Sequence, residues 1–156
     1  MDLARNLKIE CVSRLHPTPP RRIGPEQTVA DAVGLMRQEK VGCLLVCTGE
    51  RVVGIFTERD LVNRAILARG YGKAKVERFM TPDPETLGPR DPVVYALNKM
   101  SVGRFRHVPL VDEAGRPAGM ITAGDLLDFL VELCPEEILN LPPEPRLALH
   151  PKAEGD

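Results

Sequence analysis

A chain of 156 residues, 43% hydrophobic and 28% charged, has a globular balance and enough length for one core or two small ones. Its 21 Lys and Arg stand against 22 Asp and Glu, so the net charge is -1, which argues against a general nucleic-acid-binding surface but leaves room for a local basic pocket. No apolar run approaches the roughly 18 residues that cross a bilayer, so no membrane association is expected.

Residues 1–11 mix charged and apolar side chains and do not read as a signal peptide, so a cytoplasmic location is expected. A first copy of a structural unit follows at 12–70. Arg21 and Arg22 read as a solvated pair in a loop, with a short strand near Ile23. Val29, Ala32, Val33 and Met36 keep the i, i+3, i+4, i+7 spacing of a one-faced helix, and Thr28 with Asp31 reads as its N-cap pair. Cys43 to Val46 and Val52 to Phe56 are apolar runs joined by Thr48-Gly49-Glu50-Arg51, the pattern of a β-hairpin. A second helix is predicted from Thr57 to about Arg69, with Gly70 as its stop.

Residues 71–75 are a short polar linker, and a second copy occupies 76–134. A strand is expected near Leu87. Asp91-Pro92 reads as an N-cap with proline at the first helical position, ahead of Val93, Ala96, Leu97 and Met100. Val108 to Val111 and Ala118 to Ile121 form the second hairpin around Asp112 to Arg116. The closing helix runs from Thr122 to about Leu133, stopped by Pro135. In the tail, 135–156, Ile138, Leu139 and Leu141 are free to dock on the module or on a partner, and disorder is expected beyond Pro145.

Each copy is therefore α-β-β-α with an open sheet face. Two copies packed sheet to sheet would cover both faces, giving an α+β module with pseudo-twofold symmetry. Cys11, Cys43, Cys47 and Cys134 form no CxxC pair, and His16, His107 and His150 are scattered. The cysteines read as small buried hydrophobes, and no metal site is expected.

The most informative stretch is Gly54-Ile55-Phe56-Thr57-Glu58-Arg59-Asp60-Leu61, echoed 65 positions later as Gly119-Met120-Ile121-Thr122-Ala123-Gly124-Asp125-Leu126. Two readings stand side by side. Threonine at the N-cap with aspartate three residues on is a capping box, which explains Thr57, Asp60, Thr122 and Asp125 without a ligand. The alternative is a binding corner. A hydroxyl and a carboxylate can hold a sugar diol, the helix start and Arg59 can take phosphate, and Ile55, Phe56, Met120 and Ile121 can line a slot for a flat base. In that reading Gly54 and Gly119 let another group approach the backbone closely.

The ordered set, occurring twice, resembles a pair of CBS domains, a Bateman module. The segments that carry the likeness are Arg106-His107-Val108-Pro109-Leu110-Val111-Asp112, Gly54 to Leu61, Gly119 to Leu127, and Met80-Thr81-Pro82 as the opening of the second domain. It covers roughly Val12 to Leu133. What the resemblance implies is a non-catalytic regulatory module with clefts for AMP, ADP or ATP, and in some members S-adenosylmethionine (SAM) or NAD. Thr57 with Asp60, and Thr122 with Asp125, would contact ribose; Arg59, Arg106 and His107 would reach phosphate. Copy two has Gly124 at the place of Arg59, and copy one has Val41-Gly42 at the place of Arg106-His107. One competent nucleotide site is therefore expected, with the other weak or differently used.

No GxSxG, HExxH, P-loop or GxGxxG sequence is present, so no enzyme is expected. The alternative function is a dimerisation or adaptor module with vestigial clefts. A homodimer through outer helices, with faces near Val29, Val33, Leu61 and Leu126, and a regulated partner protein are what the family implies.

Overall fold

The computed structural model describes residues 2–141. A helix, α1 (Leu3–Ile9), precedes two similar units. The first contains β1 (Arg22–Ile23), α2 (Val29–Glu39), β2 (Cys43–Thr48), β3 (Arg51–Thr57) and α3 (Glu58–Asp60). The second contains β4 (Thr81–Pro82), α4 (Val93–Gly103), β5 (His107–Val111), β6 (Pro117–Thr122) and α5 (Ala123–Leu133), and a short α6 (Pro135–Leu139) follows.

Both hairpins form as the apolar runs predict, and Gly49 (φ 60°) and Gly115 (φ 78°) supply the left-handed turn residues. Strand alternation then sorts the side chains. Leu44, Val46 and Phe56 face the helices of the first unit, as Val108, Leu110 and Ile121 face those of the second. Cys43, Leu45, Cys47 and Ile55 point the other way and meet Met120 of β6, forming an apolar layer between the two sheets. The sheet-to-sheet packing of an α+β pair is thus realised.

The chain leading into each unit crosses to the other one. β4 pairs antiparallel with β3 through Gly54–Pro82 and Ile55–Thr81, whereas Leu87, a few residues on, bridges to Leu110 of β5. In the same way Thr18 bridges to Met120 of β6 before β1 joins β2 in parallel. Val12 and Leu15 are buried in the core of the second unit, and Val76 and Phe79 in that of the first. The exchange also satisfies helix starts: Val29 N donates to Ala74 O and Val93 N to Glu10 O, both at 2.9 Å.

Several expectations are corrected. Asp91 does not cap α4; its carboxylate accepts from Gly88 N at 2.7 Å, and Pro92 takes the N-cap position without a side-chain bond. The helix expected from Thr57 to Arg69 has one short α segment, then a wider π turn over Leu61–Ala65, with Ile66 N reaching Leu61 O at 2.9 Å. Apolar spacing cannot separate an i→i+4 ladder from an i→i+5 one. Arg21 is not merely solvated but pairs with Glu39 at 2.8 Å, and Arg22 lies in β1. Val29 and Leu126 belong to cores rather than to an outer face; Val62, Ile66, Leu67, Tyr95, Val102 and Leu127 are among the exposed apolar residues of the two units. Ile138, Leu139 and Leu141 are exposed, not docked on the module. The stretch beyond Pro145 lies outside the described residues.

Candidate functional site

The corner where β3 becomes α3 is built by one capping box. Thr57 Oγ accepts from Asp60 N at 3.3 Å, and Asp60 Oδ2 accepts from Thr57 N at 2.9 Å and Thr57 Oγ at 3.0 Å. This fixes both side chains at the end of the strand. Asp60 is 7% exposed and its charge is answered by Arg64, which also donates to Thr81 Oγ at 3.1 Å. The corresponding corner of the second unit is built alike: Asp125 Oδ2 accepts from Thr122 N at 2.6 Å and from Thr122 Oγ at 2.9 Å.

Beside the first corner lies a cleft of about 360 Å³ between the two units, within the range of small-ligand pockets. Thr57, Glu58, Arg59 and Asp60 form one wall, and Ile55 and Pro109 supply apolar surface. Gly103, Phe105, Arg106 and His107, from the end of α4 and the start of β5, form the opposite wall. The crossing segment contributes Thr81, Asp83, Pro84 and Glu85. Arg59 links the two units beside the cleft, its Nη1 donating to the Arg104 carbonyl at 3.2 Å. The Phe105 ring rests against Gly103, in the space that a Cβ there would occupy.

Electrostatically the cleft is mixed. Lys99 pairs with Glu85 at 2.8 Å. Burial pulls the His107 imidazole below its usual range; Arg106 acts in the same sense, and Glu58 and Asp125 oppose it. Burial raises the Cys43 thiol far above the ordinary range and raises Cys47 as well, which suits the packing role expected of them. No cluster of three metal-binding side chains occurs among the described residues. No described helix is long and apolar enough to cross a membrane.

Of the residues singled out in the sequence, Ile55, Thr57, Arg59, Asp60, Arg106 and His107 meet around this cleft. Thr122 and Asp125 stand at the other corner and do not line it. Phe56 and Ile121 cannot line a slot, because alternation turns them into the two cores, where both are fully buried. The clearance at Gly54 serves the protein itself: a Cβ would strike Met80 Sδ and come within 3.1 Å of the Thr81 carbonyl. At Gly119 a Cβ would meet Pro17 Cβ at 3.1 Å. Phe105, Glu58 and the 81–85 segment also line the cleft, beyond what the sequence indicates. Glu58 stood inside the motif, and Phe105 directly precedes Arg106-His107; the crossing of 81–85 had no local signal.

The Asp60 carboxylate has acceptor capacity beyond its cap, which is the chemistry that hydroxyl donors of a diol would need at this corner. Phe105, Ile55 and Pro109 offer apolar contact to a flat ring, and Arg59 and Arg106 offer donors to an anion.

Comparison with known proteins gives a consistent result. The CBS domain family model matches twice, over residues 12–66 and 76–132. An uncharacterised 17.7 kDa protein of Acidianus ambivalens is 32% identical over 123 residues, covering 78% of this chain and 74% of that one. The mitochondrial CBS domain-containing protein CBSX3 of Arabidopsis thaliana is 35% identical over 122 residues, with 74% of this chain and 59% of its own length covered. The chain therefore spans less than two thirds of that relative. A CBS domain protein of Pyrobaculum aerophilum, solved complexed with AMP, superposes with a TM-score of 0.72 at 26% identity, covering 81% of this chain and 99% of that one.

Proposed function

The chain belongs to the CBS-domain family as a tandem pair, and on that premise we propose that it is a regulatory module that binds an adenosine nucleotide and modulates a partner protein. The observation that carries the reading is the cleft itself: about 360 Å³, walled by both units, with the Thr57–Asp60 corner on one side and Phe105 and Arg106 on the other. In this reading Thr57 and Asp60 take the ribose, the apolar wall takes the base, and Arg59 with Arg106 takes phosphate. The AMP complex of the Pyrobaculum protein supports the ligand class, AMP, ADP or ATP, with SAM or NAD as variants on the same adenosine core. The module acts as a switch only if the ligand binds two shapes with different affinity, and a homodimer in the cytoplasm is the assembly proposed. The chain is proposed to sense rather than to catalyse.

Thermal unfolding with and without AMP, ADP and ATP tests this. A ligand at about 100 times its dissociation constant stabilises by roughly 2.7 kcal/mol. Absence of any shift with every adenosine compound tried removes the reading.

One observation favours a second function. Both capping boxes are made entirely by the chain's own threonine and aspartate, and Ile138, Leu139 and Leu141 stand exposed at the end of the described chain. A dimerisation or adaptor module with vestigial clefts would need no more.

A further inference from the structure

Building on the nucleotide reading, we propose that this cleft selects an adenosine ligand carrying no more than one phosphate, and that Glu58 is the residue that turns away longer polyphosphates. The argument begins with the charges on the walls. Four carboxylates line the cleft, Glu58, Asp60, Asp83 and Glu85, against two guanidinium groups, Arg59 and Arg106. Asp60 is neutralised from outside by Arg64, and Glu85 by Lys99. Glu58 and Asp83 are left to balance Arg59 and Arg106. The walls of the cleft are therefore close to electrical neutrality, and they hold no surplus of cations for a polyphosphate chain.

The position of Glu58 sharpens the point. Glu58 N donates to the Gly42 carbonyl at 3.0 Å, and its carboxylate lies over Gly42, 3.1 Å from where a Cβ would stand. There it acts electrostatically on His107, the neighbour of Arg106. An anion drawn to the Arg106–His107 side thus meets a carboxylate as well. His107 adds no compensating charge near neutral pH, because burial favours its uncharged form. Arg59 is already committed in part to the Arg104 carbonyl.

Glu58 is not required by the fold at this position. The second unit carries Ala123 there, and its corner closes the same capping box. Phe105 differs in the same way, with Val41 at the corresponding place in the first unit, one residue past the left-handed cap that ends the preceding helix in each. Aromatic surface and an added acid thus coincide in this one cleft. That combination rewards a base and a sugar more than a string of phosphates.

Isothermal titration of adenosine, AMP, ADP and ATP, without divalent cations, tests the selection in the wild-type chain and in Glu58→Gln. The expected result is an affinity that falls from AMP to ATP by on the order of tenfold. Glu58→Gln should remove most of that fall, read as the ratio of AMP to ATP affinity within the variant, and a cooperative thermal melt of the variant shows that it is folded. Wild-type affinity that holds steady or climbs from AMP to ATP overturns the proposal. So does a variant in which adenosine gains as much as ATP. If none of the four binds, the nucleotide reading fails, and the selection falls with it.

Discussion

Arg64 closes over the carboxylate of Asp60, one turn back along the chain, and ties it to Thr81 on the strand that crosses from the second unit. The pair thus answers a buried charge and braces the corner against β4. Arg64 itself is 44% exposed, so solvent weakens the pair relative to a fully buried one. Replacing Arg64 with Met leaves the carboxylate without its partner and should cost about 1–2 kcal/mol. For a chain of this size the melting temperature would fall by roughly 3–6 °C. An unchanged thermal midpoint would show that the pair contributes nothing to stability.

The contact between Phe105 and Gly103 sets the shape of the opposite wall. A methyl group at position 103 occupies the place of the ring, so Gly103→Ala should swing Phe105 out of the cleft. Both Gly103→Ala and Phe105→Ala are expected to weaken AMP binding by about 1–2 kcal/mol, the scale of base–aromatic stacking. Calorimetric titration of the two variants checks this, and undiminished affinity in both would exclude a role for the ring in holding the base.

His107 makes stability depend on pH in a stated direction. Burial lowers its folded-state pKa below the usual value near 6.5, so the unfolded chain binds the proton more readily. Its contribution is then fully present above about pH 6.5 and is lost as the pH falls through the folded-state value. His107→Gln should flatten that part of the curve. Urea midpoints measured from pH 8 to pH 5 would show the wild type losing more stability than the variant; parallel curves would exclude the imidazole as the source.

Much of this molecule was legible because its signals are local. The Thr57–Asp60 and Thr122–Asp125 boxes need only a spacing of three, and the hairpins need only apolar runs around a glycine turn. The duplication made each signal visible twice. What escaped has a non-local cause. Nothing near Thr81 shows that it will pair with Ile55 in the other unit, so the wall from Thr81 to Glu85 could not be placed. The period of two along a strand was readable, yet which parity faced the cleft was not. Composition alone puts Phe56 and Ile121 in the slot, whereas the helices claim both for the two cores. Asp91 failed as a cap for a similar reason, because the Val93 amide is met by Glu10 from far upstream.

The crossing of the leading segments bears on how the pair comes apart. A cut within 71–75 would leave the first fragment holding Val12 and Leu15, which belong to its neighbour's interior, and would deprive it of Val76 and Phe79. Neither fragment would own a complete interior. Like two people each wearing one of the other's shoes, the halves are committed to melting together, and whatever loosens one loosens its twin.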